Sequence, residues 1–430
     1  MTAIALIDGN NFYVSCERVF QPHFEGKPMV VLSNNDGCVV ARSAEVKAMG
    51  VPMGIPWFKL KPLARQNRII AKSSNYTLYG DMSHRMHSVI AQFAPEQEIY
   101  SIDESFLNLT GMPGDLITYG QSIQQRVKQW VGIPVCVGIG SSKTLAKLAN
   151  HCAKKTIVPI MPGGVTDLTQ LSNAELDETL SRIAVGEVWG IGRRLSAQLI
   201  DMGITTAAHL KNASINRIQK HFSVVVGRTV AELNGEMCLE LEDVAPPKQQ
   251  IMSSRSFGQP VYRLEDLIEA VTSYTARASE KLRRQQHMAS AIQVYLRTSP
   301  FKTDAPFYSN GVVVRLMQPT NSVFALAQAA TQGLKQIYKP GLPYTKAGIM
   351  LLDLQPSNRV PLDLFSALGA PTDLRSQALL KTLDTMNERF GRGTLRSAGE
   401  GFAKPWAMRS THKSRAYTTD WAALAVVQRG

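Results

Sequence analysis

Residues 100–109, YSIDESFLNL, place two adjacent carboxylates, Asp103 and Glu104, in the middle of an apolar, aromatic, strand-like run. Successive side chains of a strand point to opposite faces, so an unbroken strand turns at least one of these acids toward the core. An unpaired buried carboxylate is costly. Either the strand breaks here in a turn that lets both side chains face one site, or a positive charge sits inside.

A third acid has a similar setting. The run AIALI (3–7) is a short, continuously apolar strand with both faces covered, and it ends at Asp8-Gly9. Three carboxylates at strand ends suit a divalent metal site, because hard cations take oxygen ligands and a metal pair serves phosphoryl or nucleotidyl transfer. The other reading is that DGNN and DES are ordinary turns with solvated acids. Spacing alone leaves both open.

The rest of the chain sets the scale. Its 430 residues are 44% hydrophobic, enough for two to four cores at about 100–200 residues per domain. Lys and Arg number 47 against 34 for Asp and Glu, and the net charge of +13 points to a polyanionic partner such as nucleic acid. The five cysteines, Cys16, Cys38, Cys136, Cys152 and Cys238, lack metal-motif spacing and read as reduced thiols of a cytoplasmic protein. The amino-terminal segment meets Asp8 without a basic stretch before it, unlike a signal peptide, and the uncharged run Pro319–Leu334 is too short and polar to span a bilayer. A soluble protein with no membrane partner is expected.

Strand candidates PMVVLS (28–33), QEIYSID, SFLNL and IPVCVGIG (133–140) alternate with helical patterns, one after NNDG (34–37) through Met49 and one around 115–131, giving a compact α/β order over 1–165. From about 166 the pattern becomes helical without convincing strands. VAPPKQQ (244–250) is the best linker. Beyond it IMSSRSFG, a helix at 264–286, ASAIQVYLRT, GVVVRLM, a helix at 323–338 and AGIMLLDLQP read as β, α, β, β, α, β, and the last 70 or so residues are polar and basic.

Three further motifs carry chemistry. In VGIGSSKTLAKLANHCAKK, Gly138, Gly140 and Ser141-Ser142 lie between strand and helix, where free backbone N–H groups favour anions. Ser142 stands where a P-loop requires glycine, so this is not that motif. On the helix Leu145, Leu148, Ala149 and Cys152 form an apolar stripe, and Lys143, Lys147 and Lys154 fall on another, which is a solvated face or, beside a metal centre, a triphosphate clamp. VWGIGRRLSAQLIDMGI (188–204) fits a helix-hairpin-helix, in which Gly190 and Gly192 expose backbone N–H groups to a DNA phosphate beside Arg193 and Arg194, or else a plain interhelical connector. The helix ending EKLRRQQH (280–287) is a solvated face or a duplex-backbone contact.

Together IALIDGNNFYVSCERVF, GKPMVVLSNNDGCVVARSAEVKAMGVPMG, YSIDESFLNLTG, VCVGIGSSKTLAKLANHCAKK and VWGIGRRL resemble Y-family DNA polymerases, most closely the UmuC subgroup, along essentially the whole chain. The resemblance implies an α+β multidomain right hand: an α/β palm at 1–13 and 81–165, small fingers at 14–80, a helical thumb with the helix-hairpin-helix at 166–240, a linker at 241–250, a βαββαβ little-finger domain at 251–356, and a clamp-motif-like segment with a UmuC-type extension at 357–430. It implies that Asp8, Asp103 and Glu104 are catalytic and hold two Mg²⁺ ions with the Gly9 carbonyl. Tyr13 matches the aromatic steric gate against a ribose 2′-hydroxyl, the other reading being a core aromatic. Lys154 and Lys47 match triphosphate contacts. Ala44 stands where many relatives have a phosphate-contacting tyrosine, which leaves Arg42 as the replacement, and Lys47 gives a point charge where others have an arginine fork.

VPLDLF (360–365) resembles the sliding-clamp motif through Leu362, Leu364 and Phe365, with Pro361 in place of the usual glutamine. The implied activity is error-prone translesion synthesis in the SOS response, on primer-template DNA and dNTPs, with a UmuD-like dimer and RecA as partners. Two other readings remain at this level. A palm-fold nucleotidyl transferase such as a cyclase explains the acids but not the hairpin motif or the charge. A non-catalytic DNA-binding scaffold explains the charge but not three acids with a lysine stripe.

Overall fold

The computed structural model describes residues 2–155, 157, 163–242, 248–301, 306–358 and 374–424. The chain divides into two compact units: Met1–Ser33, Gly37–Ala245 and His412–Gly430 form one, and Asn34–Asp36 with Pro246–Thr411 form the other.

In the first unit β1 (Ile4–Gly9) leads into α1 (Phe12–Phe20), followed by β2 (Met29–Leu32), β3 (Val39–Arg42), α2 (Ala44–Ala48), α3 (Trp57–Gln66) and β4 (Ile70–Ser73). The sequence pattern expects a helix directly after NNDG; instead β3 comes first and α2 is only five residues long. Strands β3, β2 and β4 form a small sheet in which β2 and β4 run parallel. Its core of Val30, Leu32, Val39, Val46, Leu60 and Ala64 is separate from the main one.

Then α4 (Tyr76–Ile90), β5 (Gln97–Ile99), β6 (Glu104–Asn108), α5 (Leu116–Val131), β7 (Val135–Gly140), α6 (Lys143–Lys155) and β8 (Val165–Asp167) complete a five-stranded sheet of order β5-β6-β1-β7-β8. Both β1 and β7 are buried along their whole length, as their continuous apolar runs require. One face packs against α4 and α5 through Ile7, Met86, Ile90, Ile123 and Val137. The other is covered by α6, held so close that a Cβ on Gly138 would lie 2.0 Å from the Asn150 nitrogen and one on Gly140 2.7 Å from the Ala146 nitrogen. These two glycines are therefore buried strand residues that admit a helix, rather than an anion-binding loop.

Helices α7 (Asn173–Ser181), α8 (Arg193–Asp201), α9 (Ala207–Lys211), α10 (Ile215–His221) and α11 (Val224–Leu233) follow, each short and most capped by a Ser or Thr side chain. They bury Leu180, Ile183, Leu199, Leu210, Ile218 and Val230 against the Leu145, Leu148 and Cys152 stripe of α6.

The second unit shows the expected β-α-β-β-α-β order: β9 (Ile251–Val261), α12 (Leu264–Arg284), β10 (His287–Thr298), β11 (Ser309–Thr320), α13 (Val323–Ile337) and β12 (Tyr344–Pro356). Its antiparallel sheet has the order β11-β10-β12-β9, with α12 and α13 on one face through Leu267, Tyr274, Leu282, Leu326 and Leu334. The polar tail also folds: α14 (Leu374–Phe390) is tied to α12 by a bidentate Arg283–Asp384 pair at 2.6 Å. That pair takes Arg283 out of the basic face expected at 280–287, while Arg284 pairs with Glu280 within the helix. Most of the VAPPKQQ linker and all of the VPLDLF segment, with Leu362, Leu364 and Phe365, lie outside the described residues.

Candidate active site

Strand register sets the three acids at one end of the sheet. In the antiparallel β1–β6 pair Asp8 lies opposite Glu104, and the Gly9 N–H donates to the Asp103 carbonyl at 2.8 Å. The turn joining β5 to β6 closes with the Tyr100 and Ser101 N–H groups on the Glu104 carbonyl, both at 3.1 Å. It is pinned by the Ser101 hydroxyl, which donates to Asp103 Oδ1 at 2.8 Å and accepts from the Glu104 N–H at 3.1 Å. The turn thus falls at residues 100–103, and Glu104 opens β6 rather than sharing the turn with Asp103.

The lysine stripe of α6 meets these acids. Lys154 Nζ lies 2.6 Å from Asp8 Oδ2. Lys147 Nζ lies 3.0 and 3.1 Å from the two Glu104 oxygens, and sits over the rings of Tyr100 and Trp189 at 4.5 and 5.3 Å. Lys143 is buried, ion-paired with Glu98 and donating to the Glu240 carbonyl at 2.6 Å. The stripe is therefore not a solvated face: α6 turns it toward the acid end of the sheet, and Lys143 is a structural anchor.

Nor is the amino end of α6 open to a ligand. Glu232 of α11 accepts from the Thr144 N–H at 3.0 Å and the Thr144 hydroxyl at 2.5 Å, so the chain supplies its own anion where the helix dipole favours one.

A cavity of about 350 Å³ is lined by Asp8, Gly9, Asp103 and Lys154 together with Tyr13, Arg42 and Lys47; Glu104, held by Lys147, is not among its lining residues. Asp8 is 9% exposed, and burial pushes its carboxyl up to about 6, with Glu104 and Asp103 adding to the rise and Lys154 opposing it. Burial also draws the Lys47 ammonium below its ordinary value, reinforced by the positive charges of Arg42 and Lys154. Arg42 donates to the Val51 carbonyl, which fixes its guanidinium at the rim. Tyr13 stacks on Tyr79 with centroids 4.5 Å apart and meets Tyr76 edge-on at 6.1 Å. It is half-buried, packed against the main core on one side and lining the cavity on the other.

Gly190, Gly192, Arg193 and Arg194 lie away from this cavity. Gly190 has φ +86°, a conformation that favours glycine, and Gly192 caps α8. The helix before the hairpin is α7, with a single 3₁₀ turn, Val185–Glu187, between. Lys147 and Trp189 were not singled out individually by sequence; the stripe placed Lys147 on the right face but not what it faces.

A metal fits this site in chemistry. Among the described residues no three His, Cys, Asp or Glu side chains close on one point as they stand. The donors are all oxygen, the choice of a hard divalent cation. Two ammonium groups, Lys154 on Asp8 and Lys147 on Glu104, stand there as cations.

Comparison with known proteins places the chain in a family. Residues 7–151 match the impB/mucB/samB family, residues 248–364 match that family's C-terminal domain, and residues 377–427 match a domain of unknown function. Protein UmuC of Salmonella typhimurium is 45% identical over 99% of this chain and 100% of its own length, and Protein SamB of the same organism is 43% identical over 97% and 98%. A Y-family DNA polymerase chimera of Dbh and Dpo4 shares the fold with a TM-score of 0.63 at 20% identity, covering 82% of this chain and 99% of that one. Family-wide likeness of this extent, over a fold with three acids at the end of a sheet, leaves one conclusion: the chain belongs to the impB/mucB/samB family, as a UmuC-type Y-family DNA polymerase of the error-prone translesion class.

Proposed function

We propose that the cavity in front of Asp8, Asp103 and Glu104 is where an incoming dNTP is joined to a primer 3′-hydroxyl under direction of a template. The observation that carries this is that Asp8 and Asp103 share one cavity with Tyr13, Arg42, Lys47 and Lys154, while the β1–β6 register sets Glu104 opposite Asp8. The family depends on divalent metal, and Asp8, Asp103, Glu104 and the Gly9 carbonyl would hold two Mg²⁺ ions. Bound there, the metal pair supplies charge neutralisation and a lowered pKa for the attacking hydroxyl.

The chain's own residues do the rest. Lys154 and Lys47, with Arg42, lie where they place positive charge on the β- and γ-phosphates, and binding draws Lys154 from Asp8 toward the phosphates. Lys147, itself seated over the Tyr100 and Trp189 rings, holds Glu104 and fixes the direction of that carboxylate. Tyr13, stacked on Tyr79, presents its edge to the sugar and excludes a 2′-hydroxyl by volume. On this reading 1–13 and 81–165 act as palm, 14–80 as fingers, 166–240 as thumb and 251–356 as little finger.

Gly190, Gly192, Arg193 and Arg194 would grip a DNA phosphate through backbone N–H groups and charge, without reading sequence. The +13 charge supports the same polyanionic partner. A UmuD-like dimer and RecA, a sliding clamp engaged by Leu362, Leu364 and Phe365, and a cytoplasmic location complete the proposal; no helix among the described residues is long and apolar enough to cross a membrane. The test is primer extension on a defined template by the purified chain, with and without the UmuD-like subunit and a RecA filament, in Mg²⁺ and all four dNTPs. Extension that stops on chelation is expected; no nucleotide addition under any of these conditions overturns the reading.

A further inference from the structure

The carboxy-terminal residues of the described chain, 412–424, belong to the first unit, although almost the entire second unit precedes them in sequence. Their attachment is specific. The Ser73 N–H donates to the His412 carbonyl at 3.1 Å, and the His412 N–H donates to the Ser73 hydroxyl at 2.9 Å. Asn75 caps α4 with its Oδ1, and its buried amide reaches the tail, donating to Ser414 Oγ at 3.0 Å and the Arg415 carbonyl at 3.2 Å. Tyr417 stacks on Phe20 of α1, centroids 4.8 Å apart and planes within 3°.

One contact leads inward. Glu17 of α1 is fully buried, and its Oε1 accepts two hydroxyls: Ser414 at 2.9 Å and Tyr79 at 2.8 Å. Tyr79 is itself fully buried, and its ring is the one on which Tyr13 stacks. A buried carboxylate with few donors is held by whichever hydroxyls reach it, and those hydroxyls are held by it in turn. The tail hydroxyl, the Glu17 carboxylate, the Tyr79 phenol and the Tyr13 ring thus form a continuous path from the carboxy-terminal tail to the cavity wall.

We infer that the tail segment, through Ser414 and the Glu17 carboxylate, positions Tyr79 and so fixes the Tyr13 ring that sets sugar selectivity. This rests on the reading of Tyr13 as the gate. Ser414, Glu17 and Tyr79 touch neither substrate nor the reacting atoms, so they are positioning residues. Because the two rings are stacked, a displacement of Tyr79 is passed to Tyr13, and a gate that works by volume is sensitive to such a displacement.

Full-length variants test this by single-nucleotide insertion of a dNTP and the matching rNTP, resolving kcat and KM for each. Tyr13→Ala tests the gate, Tyr79→Phe removes the phenol but keeps the stacked ring, Ser414→Ala removes the tail hydroxyl, and Ser414→Thr restores one. Ser414→Ala should lower dNTP-over-rNTP discrimination by roughly fivefold, chiefly by lowering KM for the rNTP, with kcat for the dNTP changed less than about twofold. Tyr79→Phe should lower it further, the double variant should be no worse than Tyr79→Phe because both act through one carboxylate, and Ser414→Thr should recover wild-type discrimination. If Tyr13→Ala relaxes sugar choice but Ser414→Ala and Tyr79→Phe do not, the positioning role is refuted and the gate stands. If Tyr13→Ala changes nothing, the gate reading falls and the inference with it. Proportional loss of dNTP and rNTP insertion in Ser414→Ala, with a lowered melting temperature, also refutes it, because a merely structural strap gives that result.

Discussion

Glu232 is the residue whose removal tests most sharply how α6 is held. It lies on α11, 1% exposed, and its Oε2 takes the Thr144 N–H and hydroxyl while Oε1 takes the Leu239 N–H at 3.1 Å. Its own carbonyl accepts the Ser142 hydroxyl at 2.7 Å. Glu232→Ala leaves the first turn of α6 without its acceptor in a place where water does not readily replace it. An orphaned buried donor costs about 1–3 kcal/mol, so the two Thr144 donors together make a loss of about 2–6 kcal/mol. At roughly 2–4 °C per kcal/mol for a unit of this size, the first transition in a thermal melt of the full chain should fall by about 4–24 °C. Glu232→Gln keeps one acceptor oxygen and should fall about half as far. The same α6 carries Lys147 and Lys154, so dNTP insertion should weaken with stability. A Glu232→Ala protein within about 1 kcal/mol of wild type in urea unfolding would refute the claim that this carboxylate holds the helix.

Two further predictions follow from packing and burial. Gly138→Ala sets a Cβ 2.0 Å from the Asn150 nitrogen, which nothing but a shift of α6 relieves, so expression as soluble protein should collapse or stability should fall by more than about 3 kcal/mol; a wild-type melt would contradict the close approach. Burial pushes the Glu17 carboxyl above its ordinary 4.5, against the Tyr79 and Ser414 hydrogen bonds that lower it. Folding therefore favours the protonated acid, and the stability it adds is present below the unfolded value and lost as pH rises through the folded one. The melting temperature of wild type relative to Glu17→Gln should accordingly decline between pH 4 and pH 7, and a constant or widening difference would contradict the burial argument.

The acid centre was legible because it depends on local rules. Apolar runs ending at Asp8 and flanking Asp103-Glu104 give strands with both faces covered, and a strand cannot bury a free carboxylate without help. That Glu104 lies in the strand rather than in the turn was not legible, because Ser101, not the acids, pins the turn, and a serine hydroxyl in a turn leaves little trace in a periodicity. Strands β3 and β4 have only four residues each and half-buried faces, too short for a period-2 signal to rise above a loop. The lysine stripe shows the general limit. Helical spacing says which side chains share a face, but what the face meets is a tertiary fact, so Lys143 ended in a buried ion pair and Lys147 on Glu104. Gly138 and Gly140 looked like an anion loop because the anion that fills that place, Glu232, is 88 residues from Thr144 in sequence. The tail was least legible of all: Ser414 meets Asn75 across 339 residues, and no local pattern encodes a partner that far away.

The central claim is that Asp8 and Glu104, paired across β1 and β6, are the working acids of the polymerase. Single-turnover insertion of one correct dNTP by Asp8→Asn and Glu104→Gln, variants that keep the shape of each side chain, tests it most directly. The account predicts a fall of at least about 10³-fold in the insertion rate for each, worth ~4 kcal/mol of barrier, with each variant still folded in a thermal melt. Insertion within about tenfold of wild type in either variant would contradict it.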